Sequence, residues 1–155
     1  AYCLMPNHFH ILLTPLVEGG AAKFMQKVQT GYSMYFNNKY KRTGGLFEGR
    51  FKAEHAGGDT YLKYLFAYIH LNPVKLIQSD WKEKGINSPN KALQYAKVYS
   101  YSSLPDYIGT NRPQRIILTP DIFPAYFLTV ASTEANLLEW LTFKPFHLHK
   151  QAGPV

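Results

Sequence analysis

The sequence predicts a single domain of the α+β class. Residues 1–5 and 8–14 are typical of two short strands, and the proline-asparagine pair between them is typical of a tight turn. Apolar residues then recur at helical spacing over residues 21–40 and again over residues 60–71. The 155 residues are 46% hydrophobic and 17% charged, so the chain can bury a core and is not of the disordered class.

Cysteine content and hydropathy exclude several classes of protein. A single cysteine, Cys3, cannot form an intramolecular disulfide framework or a zinc site of paired thiolates, and it fits a reducing cytosol. No apolar run approaches the roughly 20 residues needed to cross a bilayer. We therefore expect a cytoplasmic protein with no membrane partner.

The positive charge is concentrated in one segment. The formal net charge is +7, and residues 23–52 contain seven basic residues and one acidic residue, with seven aromatic residues interleaved. Single-stranded nucleic acid needs this combination, because cations bind phosphates and flat rings stack on bases. The alternative is a solvated helix face over core aromatics. The candidate phosphate contacts are Lys23, Lys27, Arg42, Arg50 and Lys52.

Two helices are predicted on either side of a glycine-containing break. The first spans about residues 21–40 and has a basic flank, and residues 46–55 form a strand or an extended loop. The second runs from Thr60 to about Leu71, where Asn72-Pro73 stops it. On a helical wheel, this second helix has one apolar stripe, which should face the core and consists of Leu62, Leu65, Phe66 and Ile69.

A second stripe on this helix holds three tyrosines. It consists of Tyr61, Tyr64, Tyr68 and, one turn further, Asn72. Such a stripe can simply be rim packing with hydroxyls that reach water. Beyond it, residues 75–118 are polar and turn-rich and should wrap around the core. Thr119-Pro120 is typical of a helix start, and a last helix is predicted from Ser132 to Phe143.

His8 and His10 flank an apolar residue on the second predicted strand. Because side chains alternate on a strand, both imidazoles point to one face, about 7 Å apart. They could converge on one metal ion, although most such triplets are ordinary surface or packed histidines. His147 and His149 repeat the pattern in the tail without supporting residues and are interpreted as incidental.

Four motifs occur in order along the chain, at residues 4–13, 46–52, 68–75 and 101–103. Taken together, they make the chain resemble the transposases that use a histidine pair and one catalytic tyrosine (HUH-type, IS200-like), especially the REP-associated tyrosine transposases. The similarity extends from residue 1 to about residue 109.

The resemblance implies a ferredoxin-like sandwich, with an antiparallel sheet and helices on one face, over residues 1–109. A partly helical extension over residues 110–155 would follow. The implied activity is site-specific cleavage and rejoining of single-stranded DNA, on hairpin (REP-like) sites, in the bacterial nucleoid. Tyr68 matches the nucleophile. His8, His10 and Asn72 match the residues that bind Mg²⁺ or Mn²⁺, although these ligands would also suit Zn²⁺.

The resemblance also has a gap and rivals. The family pattern begins with a strand and a helix that should precede Ala1, so we expect either a fragment or a gap filled by another chain, such as a second copy in a homodimer. One rival function is a domesticated protein that binds hairpin or single-stranded DNA without cutting it. Another is a replication-initiation nicking enzyme, against which residues 68–74 argue.

Overall fold

The computed structural model describes residues 1–122 and 129–142, which form two compact units. The first unit comprises residues 1–12 and the described residues from 58 onward, and the second comprises residues 13–57. The strands are β1 (Tyr2–Leu4) and β2 (Phe9–Ile11), and the helices are α1 (Gly20–Tyr40), α2 (Asp59–Leu71), α3 (Trp81–Lys84), α4 (Pro89–Val98), α5 (Leu104–Tyr107) and α6 (Val130–Thr142). Short 3-10 helices lie at Asn72–Leu76, Pro113–Ile117 and Pro120–Ile122. The predicted α+β class is confirmed.

The first unit begins with the predicted hairpin. β1 and β2 pair antiparallel, with Cys3 opposite His10, and the Met5 N–H donates to the His8 carbonyl at 2.8 Å across the turn. On the other edge of β1, the Leu4 N–H donates to the Tyr101 carbonyl at 2.8 Å. The described residues contain this two-stranded sheet, so the larger sheet of a ferredoxin-like sandwich stays a prediction.

The core of the first unit forms where α2 packs with α4 and α6. The buried apolar residues that define it are Ala67, Leu71, Val74, Trp81, Ala92, Leu93, Ala96, Leu104, Leu137 and Leu141. Of the predicted stripe, Phe66 and Ile69 are buried, but Leu62 and Leu65 are only half-buried. Because helices α4 and α6 cover a neighbouring face of α2, the face that contributes most to the core is rotated from the predicted one.

Residues 75–118 contain more regular secondary structure than the polar, turn-rich segment that the sequence predicts. Three α-helices lie within this segment, and α4 contributes Ala92, Leu93 and Ala96 to the core. The Lys97 ammonium also forms an ion pair of 2.6 Å with Glu134 of α6. These helices are short and mostly polar, so their apolar periodicity is too brief to be recognised without their partners.

The elements predicted toward the C-terminal end of the first unit are confirmed in part. Helix α6 lies close to its predicted range, and Thr129 and Ser132 cap its start, with the Ser132 N–H donating to Thr129 Oγ1 at 3.0 Å. Within the described residues, the start signal at Thr119-Pro120 leads into a 3-10 turn at Pro120–Ile122. His147 and His149 lie outside the described residues, and the predicted domain boundary at residue 109 stays a prediction. Among the described helices, none combines the length and hydropathy of a membrane span.

The second unit is dominated by α1, which is 21 residues long and spans nearly the predicted range. Lys41 ends the helix in the left-handed conformation, with φ of 52°, and the Arg42 N–H donates to the Asn37 carbonyl at 3.0 Å. Residues 46–55 form neither helix nor strand, which agrees with the extended-loop alternative.

Candidate active site

His8 and His10 lie side by side where β2 begins. Their ring centroids are 5.0 Å apart and their planes are nearly perpendicular. His8 is exposed, and its Nδ1 lies 2.7 Å from Asn7 Oδ1. The asparagine oxygen can only accept, and a neutral imidazole that donates to it from Nδ1 keeps on Nε2 the lone pair that a metal ion would need.

Tyr68 reaches the histidine pair from α2. Its ring centroid lies 5.2 Å from that of His10, in an edge-to-face contact of 84°. Tyr68 is half-buried. The structure therefore brings together the histidines and the tyrosine that the sequence motifs singled out, although His10 and Tyr68 are 58 positions apart in the chain.

Asn72 continues the backbone of α2 and is completely buried. Its Nδ2 donates to the Tyr68 carbonyl oxygen at 2.8 Å. Two buried polar atoms have no hydrogen-bond partner among the described residues of this site: Asn72 Oδ1 and His10 Nε2. Unpaired buried polar atoms are costly, and an imidazole nitrogen with an amide oxygen is a donor set that a divalent cation can use.

The electrostatics keep His10 neutral. Burial lowers the pKa of His10 to about 4, and the positive charges of His8, Lys75 and Lys82 act in the same direction. A metal ligand must be deprotonated to bind, and an imidazole with this pKa is deprotonated at neutral pH. His10 is thus in the form that a metal site requires.

Lys82 is the residue of this region that no sequence motif indicated. Its Nζ lies 3.9 Å from the centroid of the Tyr68 ring, which is a cation–π contact. Burial lowers the pKa of Lys82 to about 8, with Lys75 contributing in the same direction, so the ammonium still dominates at neutral pH. The buried Trp81 immediately precedes Lys82. This tryptophan is the local sequence feature that indicates that the helix of Lys82 is anchored in the core.

A buried hydrogen-bond network ties α2 to β1. His70 Nε2 lies 2.8 Å from Ser103 Oγ, and the same hydroxyl accepts the Tyr2 N–H at 2.8 Å. The Ser103 N–H in turn donates to the Tyr2 carbonyl at 2.9 Å. Because β1 pairs with β2, this network holds the helix of Tyr68 against the hairpin of His10. The 101–103 motif contained Ser103, but its spacing predicted no contact with His70.

The three tyrosines of α2 form a row of ring contacts. Tyr61 and Tyr64 stack with centroids 5.9 Å apart, and Tyr64 lies 5.8 Å from Tyr68. Tyr64 also meets the Trp140 ring edge-to-face at 5.6 Å. Tyr64 thus has the packed surroundings that rim packing predicts, whereas Tyr68 is the tyrosine next to His10.

The basic residues predicted to contact phosphate lie in the second unit. All five are exposed, namely Lys23, Lys27, Arg42, Arg50 and Lys52. The aromatic residues among them are not a core, because Tyr35 and Tyr40 are 58% and 57% exposed and Met25 is the buried residue of α1. The Arg42 guanidinium lies 5.7 Å from the Phe36 ring. The alternative of a solvated helix face over core aromatics therefore agrees with the exposed cations. It does not agree with the aromatic rings, because they do not form a core.

Comparison with protein families identifies a known relationship over the first part of the chain. Residues 1–72 match the family model described as Transposase IS200 like. This part of the chain is similar to the IS200-like transposases. The matched range includes the histidine pair, Tyr68 and Asn72, and the similarity supports a transposase-type, DNA-processing function. Among curated proteins and among solved structures, no significant match was found.

Proposed function

We propose that this protein cleaves and rejoins single-stranded DNA at specific sites, as a metal-dependent tyrosine transposase of the HUH type. The observation that carries the proposal is the contact of Tyr68 with His10. His10 Nε2 and Asn72 Oδ1 are in addition both buried without a hydrogen-bond partner among the described residues. The motifs at residues 68–75 and 101–103 favour the REP-associated branch of the IS200-like transposases, and hence hairpin-bearing DNA as the substrate.

In the proposed reaction, Tyr68 is the nucleophile. Its phenol oxygen attacks the phosphorus, the bond from phosphorus to the 3′ oxygen breaks, and a 5′-phosphotyrosine remains. The phenol proton is lost and the departing 3′ oxygen gains a proton, so the step is balanced without an external cofactor such as ATP. The reverse reaction by a free 3′-hydroxyl restores the phosphodiester, because the covalent link conserves the bond.

His8, His10 and Asn72 are the residues that would hold Mg²⁺ or Mn²⁺. When bound, such an ion neutralises and orients the phosphodiester, whose own charge otherwise repels a nucleophile. Two features of the chain favour metal binding. Burial keeps His10 neutral, and a hydrogen bond to the Tyr68 carbonyl fixes the Asn72 amide. The same turn of helix therefore positions both Tyr68 and Asn72.

The second unit would supply DNA affinity. Its exposed cations suit phosphates, and exposed rings such as Tyr32 and Tyr35 suit unstacked bases. This combination also favours the second candidate function, a protein that binds hairpin or single-stranded DNA without cutting it. The two functions differ in one product, a covalent protein–DNA adduct.

The deciding experiment incubates the protein with hairpin-bearing and plain single-stranded oligonucleotides in Mn²⁺ or Mg²⁺ and separates adducts on a denaturing gel. We expect an adduct for the wild type and none for Tyr68→Phe. Tyr64→Phe is the matched control, because it removes a hydroxyl one turn away and keeps the ring, and it should form the adduct as the wild type does. An equal adduct yield in Tyr68→Phe would exclude Tyr68 as nucleophile, and DNA binding without any adduct would favour the non-cutting alternative.

A further inference from the structure

Two lysines of the short helix α3 have opposite surroundings. Lys82 rests on the Tyr68 ring at 3.9 Å, whereas the Lys84 side chain is 76% exposed and pairs with Asp80 at 2.8 Å. Trp81, which is 3% exposed, anchors this helix in the core and so directs its neighbour toward Tyr68. A four-residue helix thus places one cation in the candidate site and another in water.

The surroundings of Lys82 oppose its positive charge. Desolvation and repulsion from Lys75 both disfavour the ammonium, and Glu83 is the acidic group that favours it. The charges of Lys75 and Lys82 also both lower the pKa of His10. An incoming phosphodiester would stabilise a positive charge held beside the tyrosine under these conditions.

We propose that Lys82 is a further catalytic residue, whose ammonium contacts the nonbridging oxygens of the scissile phosphate when Tyr68 attacks it. This inference rests on the function proposed above. An attacking oxygen must come within about 3–3.5 Å of the phosphorus, so the phosphate has to occupy the space beside the Tyr68 ring, where the flexible stem of Lys82 already places its charge. Lys82 keeps its proton throughout and forms no covalent bond.

The test compares Lys82→Met with Lys84→Met, a control that removes an equal charge from the exposed side of the same helix. With saturating oligonucleotide in a single turnover, we expect Lys82→Met to slow adduct formation on the order of 100-fold, as loss of one oxyanion-stabilising donor does in other enzymes. Lys82→Arg should recover part of the rate, and Lys84→Met should react as the wild type does. Thermal unfolding checks that each variant is folded.

A second substrate separates charge stabilisation from packing. An oligonucleotide with a methylphosphonate at the scissile position has lost the charge that Lys82 would neutralise, so the rate ratio of wild type to Lys82→Met should fall toward one. A lysine that only packs against Tyr68 would give the same ratio with both substrates, and that result would overturn the inference.

The remaining outcomes distinguish the inference from the proposed function. If the wild type forms an adduct, Tyr68→Phe does not, and Lys82→Met matches the wild type, then the role of Lys82 is wrong and the proposed function stands. If the wild type forms no adduct with any oligonucleotide, the proposed function fails and the role of Lys82 fails with it.

Discussion

The two units of this protein differ in where they place their polar chemistry. In the first unit, the chemistry-bearing side chains are mostly buried or half-buried, and Asn72 and His70 have no exposed surface. In the second unit, α1 presents its cations and most of its aromatic rings to solvent. The first unit holds a few polar groups in defined positions, whereas the second unit exposes many cations and aromatic rings to solvent.

This difference indicates which property each unit controls. A reaction at phosphorus depends on position, because small displacements of the reacting groups cost large factors in rate. Affinity for a nucleic acid depends on the number of phosphates neutralised and tolerates mobile side chains. Substitutions in the first unit should therefore change rate, metal binding and stability, and substitutions in the second should change affinity and its salt dependence.

The largest effect is expected when the metal-binding atoms of the first unit are removed. His10→Ala should lower the rate of adduct formation by at least about 100-fold, since loss of a group that merely supports a ligand already costs roughly 10–100-fold. Mn²⁺ titrated into the protein without DNA, followed by electron paramagnetic resonance, measures the site directly. His55→Ala, at an exposed histidine of the second unit, is the control. Equal Mn²⁺ affinity in the wild type and His10→Ala would contradict the proposed ligand set.

The second prediction concerns the charges of the second unit. Replacing Lys23, Lys27, Arg42, Arg50 and Lys52 together by Gln should weaken binding to a single-stranded oligonucleotide by roughly 10-fold or more at physiological salt. The slope of log affinity against log salt should become shallower by about 0.7 for each phosphate that the protein no longer neutralises. Fluorescence anisotropy at several salt concentrations measures both quantities.

A control for the position of the charge is available in the first unit. Gln at the exposed Lys63, Lys84 and Lys91 removes three cations of the same kind from elsewhere on the chain, and we expect these changes to leave the slope nearly unaltered. The same change of slope per cation removed in the two sets of variants would show that only total charge matters, and would remove the distinction between the units.

The third prediction tests the network that joins α2 to β1. Ser103→Ala removes the hydroxyl that contacts both His70 and Tyr2, so a buried imidazole and a backbone N–H lose a partner. The free energy of unfolding should fall by about 1–3 kcal/mol. Urea denaturation measures it, and Ser100→Ala, at an exposed serine three residues earlier, should stay within about 0.5 kcal/mol of the wild type. A Ser103→Ala midpoint equal to that of the wild type would mean that the network does not hold the helix.

The most gradual effect is a pH dependence of stability. Burial lowers the pKa of His70 to about 3 in the folded protein, from an ordinary value of 6.5. The unfolded chain therefore binds the proton first, and stability falls as the pH drops from about 6.5 toward 3, by at most about 1.4 kcal/mol per pH unit. His70→Gln should flatten this dependence in denaturation curves, leaving the part due to His10. An unchanged slope would show that His70 does not remain neutral in the folded state.

Local pattern was enough for part of the fold, whereas the roles of the candidate site residues were expected from the family resemblance. The hairpin around Pro6-Asn7 and the helices α1, α2 and α6 follow from turn chemistry and apolar periodicity, which act over a few residues. Tyr68 and Asn72 share a helical turn for the same reason. The nearness of His10 to Tyr68 was expected only from the family resemblance, because no local rule joins two residues so far apart in sequence.

Other features depend on contacts between distant segments. The helices between residues 75 and 118 are too short to be recognised alone and are held by α2 and α6. His70 gains its role from Ser103, and Lys82 gains its role from Tyr68. Each of these pairs joins different elements, so neither residue of a pair carries a sequence signal for the other.

The sequence by itself determined the chemical groups that this protein possesses and the order in which they occur, because motif spacing and charge distribution are properties of the chain. The tertiary structure alone decided which of those groups are buried, and burial sets the protonation of His10 and the cost of leaving Asn72 Oδ1 unpaired. It also decided that a lysine without a motif rests against the candidate nucleophile. The physical reason is that desolvation and Coulomb interaction depend on distances in space, which are set only when the helices and the hairpin pack together.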